Sequence, residues 1–337
     1  MTSNIKITQN SETEKLTLVQ AVNRGLEDVM SEDSRVIVLG EDVGVNGGVF
    51  RATEGLMDKF GEDRVFDTPL AESGIVGTAI GLAIAGFRPV AEIQFMGFIY
   101  PAVNQIFGHA ARMRNRSRGR YFLPMVIRMP YGGGIHAPEH HSESYESMLA
   151  NTPGLTVVIP SNPIDAKGLL IAAIMSNDPV IFMEPKRIYR AFREEVPKGV
   201  YQIPLRQANV VQQGKDVTIV AYGAMMRPVL EARDTLEREG ISTEIIDVRT
   251  IVPLDGNTIV ESVKKTGRLV IVHEGPRTSG FGAEISAHIM EHALLHLLAP
   301  VQRVTGFDTI FPYSILEHHY LPDKRRVIDA VRQTMAF

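Results

Sequence analysis

The chain has 337 residues, which at roughly 150 residues per domain points to about two domains. Lys and Arg total 35 and Asp and Glu 39, a net charge of −4, which argues against a general nucleic-acid binder or a polybasic membrane anchor. There is no cysteine, so disulfides, thiol nucleophiles, iron–sulfur clusters and cysteine-zinc sites are excluded.

Residues 1–14 are polar. They lack the apolar core of a signal peptide and the arginines of a transit peptide, and read as a flexible leader on a cytoplasmic protein with no targeting peptide. Residues 16–30 carry an apolar face through Leu16, Leu18, Val19, Val22, Leu26, Val29 and Met30 and predict an amphipathic helix. Short apolar runs at 36–39, 88–95, 125–128, 155–159 and 180–183 predict buried strands, with helices between them, one over 165–175. The most apolar stretch, 74–87, is too short and too rich in glycine to span a bilayer and reads as a buried helix. Residues 193–206, with Pro197, Gly199 and Pro204 among charges, read as an exposed linker.

The pattern then restarts. Strands are expected at 217–222, 243–248, 269–273 and 301–305, and helices at 225–238, 258–265 and 281–298. The alternation predicts an α/β protein of two domains with mostly parallel sheets, one over 15–192 and the other over 207–337.

Several constellations offer chemistry. Gly280-Phe281-Gly282-Ala283-Glu284-Ile285 fails the dinucleotide pattern at its third glycine, and there is no Gly-x-x-x-x-Gly-Lys phosphate loop. His136-Ala137-Pro138-Glu139-His140-His141 resembles a zinc-protease motif, but Pro138 and Gly132-Gly133-Gly134 oppose the helix that motif needs. A loop presenting a histidine and a carboxylate, or an ordinary surface loop, are the readings left open. His288, His292 and His296 share one helix face, as a metal site or as a solvated stripe. Arg112, Arg114, Arg116, Arg118 and Arg120 can grip phosphate or pair with carboxylates. In residues 67–82, a proline turn leads to Glu72 at the start of a helix whose Gly74, Gly77 and Gly81 leave a bare face. Glycine costs about 1 kcal/mol each in a helix, so close packing against another backbone is expected there, with Glu72 where water is excluded.

This stretch also carries a resemblance. Glu72, Gly77, Gly81 and Leu82 fit the Glu-x₄-Gly-Φ-x-x-Gly-Φ pattern (Φ apolar) of thiamine diphosphate enzymes, with Thr78 at one apolar position as the departure. Gly40-Glu41-Asp42-Val43, Asp67-Thr68-Pro69-Leu70-Ala71-Glu72, Glu92-Ile93-Gln94-Phe95, Asp247-Val248-Arg249-Thr250 and Arg303-Val304-Thr305-Gly306 agree with it. Over residues 15–337 the chain resembles the beta subunit of the decarboxylating component of 2-oxo acid dehydrogenase complexes. It is most like bacterial α₂β₂ pyruvate dehydrogenases, with branched-chain 2-oxo acid dehydrogenases also near through Glu184-Pro185-Lys186 and Tyr189-Arg190.

The resemblance implies a pyrimidine-binding domain of the transketolase type, a transketolase C-terminal-like domain, and oxidative decarboxylation of pyruvate with acyl transfer to lipoyl. A branched-chain or acetoin dehydrogenase subunit and a non-catalytic assembly module are the alternatives. It implies catalytic roles for Glu72 and His141, with Glu72, Phe98, Leu70 and Glu41 at thiamine diphosphate. An alkali-metal (K⁺) site is implied at Ala173, Ile174, Ser176 and Asp178, where Ser176 replaces the usual aspartate. There is no Gly-Asp-Gly here. The family places that motif, and with it the diphosphate and Mg²⁺, on an alpha subunit. The implied partners are that subunit in an α₂β₂ heterotetramer and the dihydrolipoyl acyltransferase, docked on the C-terminal domain, with no nucleic acid and no membrane.

Overall fold

The computed structural model describes residues 12–337. The expected leader therefore lies mostly outside the described residues. Its last part does not: Thr13–Leu16 is a strand (β1). The chain divides into two compact units, one formed by 12–131 and 148–205, the other by 132–147 and 206–337. The sequence reading placed 132–147 inside an unbroken first domain. The grouping follows the backbone N–H groups of that segment, which bond carboxylates of the C-terminal part.

The first unit is a parallel sheet wrapped by helices. After β1 come Leu18–Glu32 (α1), Val36–Gly40 (β2), Leu56–Phe60 (α2), Val65–Asp67 (β3), Glu72–Ile84 (α3), Arg88–Glu92 (β4), Met113–Arg116 (α4) and Val126–Tyr131 (β5). The chain returns through Glu146–Ala150 (α5), which straddles the change of unit, to Thr156–Val158 (β6), Pro163–Met175 (α6), Val180–Pro185 (β7) and Glu194–Pro197 (β8). Six strands pair in the order β6-β7-β5-β4-β2-β3, all parallel. They are continuous apolar runs because both faces are covered. Pro163 sits at the first turn of α6, and Asn162 Oδ1 caps it by accepting from Asp165 N–H at 2.8 Å. Gly25 lets α1 lie close to the backbone of Lys167 on α6. The buried Lys167 ammonium donates to the Pro197 carbonyl at 2.8 Å and forms an ion pair with Asp28 at 2.8 Å. The linker expected at 193–206 thus contains β8, which pairs antiparallel with β1.

The second unit holds Asn209–Gln212 (β9), Val217–Ala221 (β10), Met226–Arg238 (α7), Thr243–Asp247 (β11) and Thr250–Val252 (β12). Gly256–Thr266 (α8), Leu269–Val272 (β13), Phe281–Ala293 (α9), Gln302–Val304 (β14), Glu317–Tyr320 (α10) and Lys324–Met335 (α11) follow. Its five-stranded sheet runs β14-β13-β10-β11-β9, with β9 antiparallel at the edge. The side chain of Asp255 caps α8, and Gly267 ends it at φ +70. The fold class is the expected one, two α/β units with mostly parallel sheets.

Candidate active site

Four of the expected site residues follow the carboxyl ends of three neighbouring strands, β3, β2 and β4, where open parallel sheets collect their ligands. Glu41 follows β2, Leu70 and Glu72 follow β3, and Phe98 lies beyond β4. The connections are braced. Asp67, the last residue of β3, accepts from the N–H groups of Gly44 at 2.6 Å and Val45 at 3.3 Å. Thr68 N–H bonds the Gly40 carbonyl at 2.9 Å. Phe95 packs edge-on against both Phe50 and Phe98, with ring centres 5.4 Å apart in each pair. Phe98 is thereby held by one edge and left half-buried.

Glu72 is the first residue of α3 and is 9% exposed. The positive end of the helix dipole favours a carboxylate there. Among the described residues none donates a hydrogen bond to it. Its carboxylate oxygens keep some access to solvent, so the group is open to a partner from outside the described residues. Thr68 Oγ1 is enclosed without a partner among the described residues. Glu41 is held above the usual carboxylate range, first by partial burial and then by the negative charges of Asp42 and Glu72. Leu70, by contrast, is 72% exposed. The other side of α3 is open: Ser73, Gly74, Thr78 and Gly81 are exposed, and a Cβ at Gly81 would meet nothing. Gly77, between them, is half-buried and faces the Gln105 side chain, so the open part of the face lies at Gly74 and Gly81.

His141 belongs to the other unit. It closes a single helical turn, Glu139–His141, with its N–H on the Pro138 carbonyl at 3.0 Å, and is half-buried. No longer helix crosses 136–141, so the zinc-protease geometry is not formed. Among the described residues no group of three or more His, Asp or Glu is arranged to hold a metal ion. His288 and His292 stack with ring centres 4.3 Å apart, while His296 falls in the turn after α9.

The alkali-metal residues tell a different story. The carbonyls of Ile174 and Ser176 accept from one guanidinium nitrogen of Arg88, at 2.8 and 2.9 Å. Asp178 pairs with Arg114 at 3.0 Å. Ala173 O accepts the N–H of Ser176 at 3.2 Å. Here the oxygens of Ile174, Ser176 and Asp178 face cationic side chains, and that of Ala173 a backbone N–H. The arginine run thus uses at least one member for carboxylate pairing.

Known proteins agree with this architecture. The chain is 53% identical over 323 residues to "Pyruvate dehydrogenase E1 component subunit beta" of Staphylococcus epidermidis, covering 96% of this chain and 99% of the relative. Proteins of the same description from Staphylococcus aureus and Bacillus subtilis are 52% identical over the same span. The chain belongs to the family of pyruvate dehydrogenase E1 beta subunits. Within it, residues 14–191 match the transketolase pyrimidine-binding domain and residues 206–327 the transketolase C-terminal domain. A solved structure, "Split gene transketolase, inactive beta4 tetramer", has the same fold at TM-score 0.78 and 24% identity, covering 95% of this chain and 99% of that one. No described helix of this E1 beta family member is long and apolar enough to cross a membrane.

Sequence reasoning missed two supports of the site. Asp67 and Thr68 stood inside the quoted motif without a role. Glu274 and Glu317, which bind the loop before His141, gave no local signal at all.

Proposed function

We propose that this chain is the beta subunit of a pyruvate dehydrogenase E1 component, and that with an alpha subunit it completes a thiamine diphosphate site for oxidative decarboxylation of pyruvate. The observation that carries this reading is Glu72: a largely buried glutamate at a helix N-terminus, with no donor among the described residues and set where parallel strands end. When bound, thiamine diphosphate supplies the carbon nucleophile and electron sink that decarboxylation of a 2-oxo acid requires.

The chain's own residues then have defined tasks. Glu72 offers its carboxyl to the cofactor's aminopyrimidine and exchanges a proton with it. Phe98, braced by Phe95, stacks on the ring, and Leu70 and Glu41 complete the border. The His141 imidazole orients the 2-oxo acid and exchanges a proton when the lipoyl group accepts the acyl unit. The diphosphate and Mg²⁺ fall to the alpha subunit. The open glycine face of α3 supports a close-packed partner, since small residues let backbones approach. The family name borne by its relatives supports a multi-subunit enzyme, and the acyltransferase is the natural acceptor of the acyl group.

The test is reconstitution with an alpha subunit. Glu72→Gln should assemble normally yet lose most pyruvate turnover with a dye acceptor, because an amide bonds the ring nitrogen but cannot manage the proton. Turnover near that of the unsubstituted enzyme would remove Glu72 from the chemistry. Faster turnover of branched-chain 2-oxo acids or acetoin than of pyruvate would reassign the substrate.

A further inference from the structure

The glycine-rich segment ahead of His141 is held by two buried carboxylates. Gly132 and Gly134 take positive φ, +81 and +92, and His136 takes +59. This alternation turns successive N–H groups toward one side, a backbone concavity that receives anions. Two glutamates fill it. Gly133 N–H donates to Glu274, and Gly134 N–H donates to Glu317. His136 donates to Glu317 from its N–H at 3.0 Å, and its Nδ1 lies 3.0 Å from the same oxygen. Glu317 is 2% exposed and Glu274 nearly as enclosed. The glycines are required: a Cβ at Gly133 would overlap the Phe311 ring, and one at Gly132 would press on Glu274. The far end is tied too, since Tyr222 Oη donates to Glu146 at 2.9 Å. His141 therefore sits on a span fixed on both sides.

Burying two carboxylates to support one loop is an expensive way to achieve mere stability. What charge-assisted bonds add is direction and stiffness. We infer that Glu317, assisted by Glu274, is a positioning residue that fixes the glycine segment and through it the working orientation of His141. This inference rests on the role proposed above for His141. An imidazole displaced by about 1 Å can lose on the order of 100-fold in rate.

The experiment is a double-mutant cycle in the reconstituted enzyme, using E317Q, H141A and the pair. Glutamine keeps the size of Glu317 but offers one acceptor oxygen where two are used. E317Q should lower kcat for acyl transfer on the order of 10- to 100-fold. The Kd for thiamine diphosphate and the thermal midpoint should stay close to those of the parent. E317D, which keeps the charge, should recover part of the rate. In the H141A background E317Q should cost little more, because its effect runs through the missing imidazole. Full additivity of the two losses, or an active E317Q beside an impaired H141A, overturns the positioning role. An unimpaired H141A instead overturns the reading of His141 itself. Should E317Q fail to assemble, E274Q, which disturbs the Gly133 N–H, carries the same cycle.

Discussion

Arg128 has no exposed surface and answers two carboxylates at once. It forks onto Glu184 with two bonds of 2.8 Å and reaches Glu92 with its other nitrogen, while Tyr189 Oη donates to Glu184 at 2.5 Å. Burial holds Glu92 above its ordinary range even so. Removing the guanidinium strands both anions in the sheet. Arg128→Met should destabilise the folded chain by about 3–5 kcal/mol in denaturant titration, and a loss below about 1 kcal/mol would contradict this account. Residues of this kind divide by how far their partners lie along the chain. The expectation at Glu72 draws on residues beside it, a proline turn and three glycines. Glu317 was not legible, since it lies 183 residues from the glycine it binds and nothing local marks it. The contact of Arg88 with the Ile174 and Ser176 carbonyls was hidden for the same reason: Arg88 is distant in sequence and close in space.

Helix α3 shows what an element can and cannot reveal. Glu72, Ile75, Val76, Ala79, Ile80 and Ala83 form its buried face at helical spacing. The sequence read a buried helix here because the opposite face is small and nonpolar rather than charged. A face prepared for a partner and a face prepared for a core look alike in composition. Gly81→Leu separates them. Leucine restores about 1 kcal/mol of helix propensity, and nothing in the chain obstructs its Cβ. The isolated beta chain should melt at the same temperature or higher, while assembly with an alpha subunit weakens. Assembly as tight as that of the parent would show the face to be unused. Other elements escaped the sequence reading for simple reasons. The charges and proline of Glu194–Pro197 masked an edge strand, which β1 completes from the far side of the unit. The α11 helix had its signal in Asp323, whose side chain caps Arg326 N–H at 2.8 Å, ahead of Val327, Ile328 and Val331.

At the scale of the whole molecule, two buried groups in the C-terminal unit oppose each other in pH. Burial pushes Glu146 up to about 7, with Glu274 adding to the rise and the Tyr222 bond working against it. Burial pulls His273 down to about 4, helped by Arg303 and Arg277. The raised acid binds its proton more tightly when folded, so its contribution is present below about 4.5 and is lost as pH rises toward 7. The lowered base binds its proton more weakly when folded, so its contribution is present above 6.5 and is lost as pH falls toward 4. Between about 4.5 and 6.5 the two slopes cancel. Glu146→Gln should therefore make stability fall on acidification through this window, and His273→Gln should make it fall on alkalinisation. Thermal midpoints near pH 5 and pH 6.5 decide the matter, and parallel slopes in the two variants would refute the pairing.

The chain's detour through residues 132–147 bears on how such a protein can be inherited. The C-terminal unit borrows sixteen residues from the middle of the N-terminal one, so the boundary visible in the sequence is not a seam along which genes can be recombined. A chimera joined near residue 200 would bring foreign glycines to Glu274 and Glu317, or foreign carboxylates to the glycines. A chimera that takes residues 132–147 and their acids from one parent should therefore fold more stably than one that parts them.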